Sequence, residues 1–250
     1  TPDMGNSAEL AFKEASDSGQ LLGGQKVRVV RADSTCIDAA AATAAAERLI
    51  TSDKVVGIMG ADCSGVTTAI ANNVAIPNGV TMVSPSATSP ALSTIADNGY
   101  FFRTAPSDAR QGQVLAQITM ERGFNDVAVT FINNDYGKGL SDSFINAYKG
   151  LGGKVSAVVP HEADKADFSA EVAALNASGA SILAVFGYVD QGGNHIIQGS
   201  LDSGAFDKFI LADGMYGEAL LKNMEGDLSG TFGTVPGTDS KGAASFAEMA

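Results

Sequence analysis

Two stretches decide how this chain is read: Cys63-Ser64-Gly65-Val66-Thr67-Thr68 and Ser84-Pro85-Ser86-Ala87-Thr88-Ser89-Pro90. Each follows a short apolar run, Val55 to Met59 before the first and Val80 to Val83 before the second. Each leads into a helix-like segment. Apolar run, polar turn and helix in repetition is the pattern of an α/β protein with a parallel sheet. Small hydroxyl residues at the carboxyl end of such a strand leave backbone N–H groups of the next helix facing outward. Those groups, with the helix dipole, attract negative charge. Ligands of open α/β sheets bind outside the carboxyl ends of the strands. Ser64, Ser86 and Thr88 add hydroxyl donors. The two loops therefore read as half of a small-molecule site whose ligand carries a carboxylate. The same residues would also serve as ordinary N-caps.

Working outward, the alternation continues on both sides. Upstream, the spacing predicts a helix over Asn6 to Ser18, a strand over Lys26 to Ala32 and an Ala-rich helix over Asp38 to Ile50. Between and beyond the two loops come a helix over Ser64 to Asn73, a turn at Asn78-Gly79 and a short strand over Tyr100 to Arg103. The second half repeats the scheme, with helices over Asp108 to Arg122, Gly139 to Leu151, Ser169 to Ala177, Asn194 to Ser203 and Gly217 to Met224. Its strands are expected over Val127 to Ile132, Lys154 to Val159, Ile182 to Phe186, Phe209 to Leu211 and Gly230 to Val235. Another helix starts at Ala243. Two βαβ halves of similar size predict two lobes, 1–105 and 106–235, with 236–250 beginning a return segment. The chain opens on a helix and stops within a helical pattern, so a first strand and the rest of the return segment are expected to be missing.

Composition narrows the partners. The 250 residues are 45% hydrophobic and 18% charged, which is globular rather than disordered. A net charge of −12 argues against nucleic acid or an anionic membrane as partner, yet leaves room for a local anion site built from dipoles. No run approaches a membrane span, and no leader-like segment opens the sequence. The two cysteines, Cys36 and Cys63, each lie just past a predicted strand. By sequence alone they are either bridged or free.

Three further strand ends carry polar residues: Asn133-Asn134-Asp135-Tyr136-Gly137, Gly187-Tyr188-Val189-Asp190 and Ala212-Asp213-Gly214. Tyrosine rings give apolar contact with a polar tip. Asp213 can pair with an ammonium group. The bland alternatives are interface packing for the tyrosines and an N-cap for Asp213. Facing the hydroxyl loops across two closing lobes, these residues complete the charge pattern of an α-amino acid.

At this point the sequence resembles the periplasmic leucine/isoleucine/valine-binding proteins, type I solute-binding proteins of ABC importers. The markers are Cys63-Ser64-Gly65, Ser84-Pro85-Ser86-Ala87-Thr88, Phe102-Arg103-Thr104, Asp135-Tyr136-Gly137-Lys138-Gly139, Asp167-Phe168-Ser169 and Gly187-Tyr188. They are specific as a set, and the likeness runs from about Gly5 to the end. The resemblance implies a two-lobed α/β fold, each lobe a mostly parallel sheet flanked by helices, with a periplasmic location. It implies a bridge between Cys36 and Cys63. Ser64, Ser86, Ala87 and Thr88 would contact the ligand carboxylate, and Tyr136 and Tyr188 would line the cleft from the second lobe. Asp213 stands where the family commonly has Glu, which leaves the identity of the ligand open. The implied ligand is a small aliphatic amino acid or a related carboxylate, the implied partner a membrane permease, and the implied state a monomer. No cofactor or metal is implied.

Rival classes have less support. His161, after Pro160, and His195, opening a helix, read as surface residues. Ser64 lies outside the G-x-S-x-G elbow, Gly137-Lys138-Gly139 lacks P-loop spacing, and no Cys/His cluster has metal-ligand spacing. An enzyme is not expected. A ligand-sensing module for amides, carboxylates or aromatic acids stays open.

Overall fold

The computed structural model describes residues 2–222 and 224–237. The chain divides into two compact units. Of the described residues, the first comprises 2–87, Ala96–Ala105 and Gly237; the second comprises Thr88–Ile95 and Pro106–Pro236. The segment Thr88–Ile95 thus packs with the second unit.

The first unit holds α1 (Pro2–Asp17), α2 (Ala39–Thr51) and α3 (Ser64–Ile70), with strands β1 (Gly57–Met59), β2 (Thr81–Ser84) and β3 (Phe101–Arg103). The three strands are parallel, in the order β1-β2-β3. The Asp38 side chain caps α2 by accepting from the Ala41 N–H, the local reason that helix starts there. Cys36 and Cys63 form a disulfide with Cα atoms 5.3 Å apart. The bridge ties the loop before α2 to the N-cap of α3.

One expected strand is absent. Lys26 to Ala32 has the alternation of a strand but joins no ladder. Its Val27 N–H donates to the Ser16 hydroxyl at 2.9 Å. The segment instead lines a cavity of about 1030 Å³, together with Ala8 and Phe12 of α1, Ala46 of α2 and Ile58 of β1. Alternation makes a strand only where a neighbour accepts its backbone hydrogen bonds. Among the described residues, β1 pairs with β2 alone.

The second unit is built on five parallel strands in the order β5-β4-β6-β7-β8: β4 (Asp126–Ile132), β5 (Lys154–His161), β6 (Leu183–Phe186), β7 (Phe209–Leu211) and β8 (Phe232–Gly233). α4 (Asp108–Glu121) precedes β4, and between the strands run α5 (Asp135–Gly150), α6 (Ser169–Asn176), α7 (Asn194–Ser203) and α8 (Glu218–Lys222). The period of two along β4 divides the core. Val127 and Val129 join Leu115, Leu140 and Phe144 on one face. Ala128 joins Val172, Leu175 and Ile196 on the other. Both faces are covered, which is why these strands read as continuous apolar runs. Pro160 sits in β5, at the sheet edge, where its missing N–H costs no ladder bond.

Several boundaries move. α5 starts at Asp135 rather than Gly139, because Asn134 caps it by accepting from the Gly137 N–H at 3.0 Å. β8 is shorter than expected, two residues. His161 is no surface residue: it ends β5 at 1% exposure. The helix expected from Ala243 lies outside the described residues. Among the described residues, no helix is long and apolar enough to cross a membrane.

Candidate functional site

In the first unit the parallel pairing of β1 with β2 brings the two hydroxyl loops together. Ser64 is the first residue of α3 and 1% exposed. Ser84, the last residue of β2, is the local organiser. Its hydroxyl donates to the Ala61 carbonyl at 2.7 Å and accepts from the Ala87 N–H at 3.0 Å. It thus pins the turn Ser84–Ala87 to the loop after β1. The Ser86 hydroxyl donates to Asp62, 2.9 Å from the carbonyl and 2.8 Å from the carboxylate. A hydroxyl has one proton, so in this state Ser86 is committed to Asp62 and must turn away from it to reach an anion. The Ala87 carbonyl accepts from Arg103 at 3.1 Å. Sequence reasoning quoted Ser84 within the loop but gave it no role. Its place at the strand terminus, three residues before Ala87, is the available signal.

In the second unit the loop after β2 continues into Thr88, whose carbonyl accepts from the N–H of Asp108 at 2.9 Å. Tyr136, Tyr188 and Asp213, from three different strand ends, are brought together. Tyr136 lies in the first turn of α5 and is 2% exposed. Its hydroxyl donates to Asp213 Oδ1 at 2.8 Å and accepts from the Gly214 N–H at 3.1 Å. Its ring stacks on Tyr188 with centroids 4.8 Å apart. Gly214 leaves no room for a side chain: a Cβ there would meet the Gly187 carbonyl oxygen at 2.4 Å and the Tyr136 hydroxyl at 2.8 Å. Asp213 is the first residue of a 3₁₀ turn, Asp213–Met215, whose N-cap is Ala212.

Electrostatics follow from burial. Removal from water pushes the Asp213 carboxyl above the usual range, against the pull of hydrogen bonds from Tyr136, Gln111 and backbone N–H groups. Burial, then the Asp213 charge, holds the Tyr136 hydroxyl well above the ordinary tyrosine value. Tyr136 therefore serves as a neutral donor. Gln111 was missed in the sequence. With Asp108, Gly112 and Leu115 it lies at i, i+3, i+4 and i+7 spacing on α4, so polar residues on an otherwise packed face were the signal.

The two histidines differ. His195 is exposed. His161 Nδ1 lies 2.9 Å from the Thr130 hydroxyl, and burial lowers its pKa to about 4, so the ring is neutral near pH 7. Phe168 meets it edge-on. Among the described residues, no group of three His, Cys, Asp or Glu side chains is placed to hold a metal ion.

Parallel sheets flanked by helices, with polar residues gathered at strand carboxyl ends, define a ligand-binding α/β protein. The chain belongs to the periplasmic binding protein family, whose model matches residues 1–249. It is 30% identical over 244 residues to the Leu/Ile/Val-binding protein homolog 1 of Brucella abortus, covering 94% of this chain and 63% of that protein. It is 29% identical over 234 residues to the leucine-, isoleucine-, valine-, threonine-, and alanine-binding protein of Pseudomonas aeruginosa, covering 92% and 60%. The leucine-binding protein LivK of Thermotoga maritima superposes with a TM-score of 0.75 at 27% identity, covering 85% of this chain and 59% of that one. A solute-binding protein of an ABC transporter from R. palustris, solved with 4-hydroxybenzoate, shares the fold with a TM-score of 0.73 at 21% identity, covering 84% and 57%. These relatives are binding proteins rather than enzymes. The chain spans roughly three fifths of the curated relatives' length, at 63% and 60%.

Proposed function

We propose that this chain carries the recognition elements of an extracytoplasmic solute-binding protein that captures a small aliphatic amino acid and delivers it to the permease of an ABC importer. Family membership implies the extracytoplasmic location. One observation carries the reading: Asp213, a half-buried carboxylate held by the Tyr136 hydroxyl beside the Tyr136–Tyr188 stack. A buried carboxylate is costly unless its charge is matched, and an ammonium group is the ligand chemistry that matches it. The hydroxyl loops around Ser64 and Ser84–Thr88 supply the carboxylate end. The names of the Brucella and Pseudomonas relatives supply the aliphatic preference.

In this reading the hydroxyl loops are the carboxylate-recognition element, and Tyr136, Tyr188 and Asp213 are the ammonium-recognition element. A ligand shifts the protein between states only through contacts it makes better in one of them. A second reading, capture of an aromatic acid, draws on the stacked tyrosines, which suit a flat ring. A thermal-shift screen of the full-length protein separates the two. It would compare the amino acids with simple carboxylates, amides and 4-hydroxybenzoate. A binder present at about 100 times its Kd adds about 2.7 kcal/mol of stability. Stabilisation by aliphatic amino acids is expected. Stabilisation by 4-hydroxybenzoate alone would replace the first reading by the second.

A further inference from the structure

The turn after β2 holds two hydroxyls with different partners. Ser84 is fully buried and gives its proton to a neutral group, the Ala61 carbonyl. Ser86 is half-buried and has two acceptors for its one proton. Both belong to Asp62: the backbone carbonyl oxygen at 2.9 Å and carboxylate Oδ1 at 2.8 Å. Asp62, also half-buried, stands in the loop after β1, two residues before Ser64. Its neighbours on both sides are tied down. Ser84 Oγ holds the Ala61 carbonyl, and the bridge to Cys36 holds Cys63. The loop therefore keeps Asp62 at the turn, and an exchange of partners by Ser86 must come from side-chain rotation.

We infer that Asp62 is a positioning residue that acts through Ser86: its carboxylate stands in for that of the ligand, and so sets how tightly the hydroxyl loops take the real one. The inference rests on the reading that these loops recognise the carboxylate end of a ligand. A hydroxyl bound to a charged acceptor makes a stronger hydrogen bond than one bound to a neutral acceptor. For Ser86 to reach a ligand carboxylate, it gives up one such bond to form another, so the exchange gains little. The incoming carboxylate also meets the negative charge of Asp62 beside the same hydroxyl, and like charges repel. Both costs fall on the carboxylate end alone. Asp62→Asn leaves a neutral side-chain oxygen and the backbone carbonyl as acceptors, from which Ser86 turns more easily.

The test compares three probes by titration calorimetry of the full-length protein: leucine, 4-methylpentanoate and 3-methylbutylamine, which is leucine without its carboxylate. In Asp62→Asn, leucine and 4-methylpentanoate are each expected to bind about tenfold more tightly, and 3-methylbutylamine to gain nothing. Asp62→Ala, which removes the side-chain acceptor, is expected to give the same pattern. The gain is expected to vanish when Ser86→Ala is added to either variant. Leucine affinity unchanged or lowered in both single variants would overturn the inference. So would a gain that survives Ser86→Ala or extends to 3-methylbutylamine. Failure of the underlying reading shows in the wild type: 3-methylbutylamine bound as tightly as leucine would mean that the carboxylate end is not recognised at all.

Discussion

Asp213, half-buried, and His161, fully buried, are both titratable, and they bear on different properties. Asp213 is proposed for recognition. His161 belongs to stability. In the unfolded chain its pKa is the ordinary 6.5; in the folded unit it is about 4. Between those values the unfolded state binds a proton that the native state refuses. Stability is therefore full above about pH 6.5 and declines as the pH falls toward 4, by an amount on the order of 3 kcal/mol. His161→Asn keeps a polar atom at the Nδ1 position facing Thr130 and is expected to flatten that decline in denaturant unfolding measured from pH 4 to 7. The same slope in the variant would show that other groups cause it. The strand-end position of Asp213 was legible, because the α/β alternation places Ala212-Asp213-Gly214 directly after β7, and the structure brings it to Tyr136. The sequence misplaced His161, because Pro160 reads as a loop signal unless the edge position of β5 is known. Gln111 was illegible for a related reason: its partner, the Thr234 carbonyl, lies 123 residues away.

Among the elements, those with self-contained signals were read well. The helix Asn194–Ser203 and the strand Phe209–Leu211 stand where the sequence put them. The failed element, Lys26 to Ala32, depended on a neighbour that the local pattern does not encode. Two predictions belong at this scale. The bridge between Cys36 and Cys63 closes a loop across a sequence separation of 27 and fixes the residue that caps α3, immediately before Ser64. A Cys36→Ser/Cys63→Ser variant is expected to lose about 3 kcal/mol of unfolding free energy. Equal stability in chemical denaturation would remove the bridge from the list of stabilising features. The contact of α4 with α5 depends on Gly112, where a Cβ would lie 2.6 Å from the Phe144 backbone nitrogen. Gly112→Ala is expected to cost about 1–3 kcal/mol by forcing the helices apart. Full stability in the variant would show that the helices shift at no cost.

At the scale of the molecule, the alternation of strands and helices was enough to specify parallel sheets, and the family likeness followed from six short motifs taken together. The ligand was less legible, because its selection depends on a few polar atoms, and Asp in place of Glu at position 213 alters where an amine would sit. The central claim is that the site requires an ammonium group. Titration calorimetry of the full-length protein with leucine and with 4-methylpentanoate, the same molecule without its amine, tests it most directly. Leucine is expected to bind and 4-methylpentanoate to bind at least a hundredfold more weakly, about 2.7 kcal/mol, with the difference erased in Asp213→Asn. Equal affinity for the two in the wild type would contradict the role given to Asp213 and leave a site that recognises the carboxylate alone.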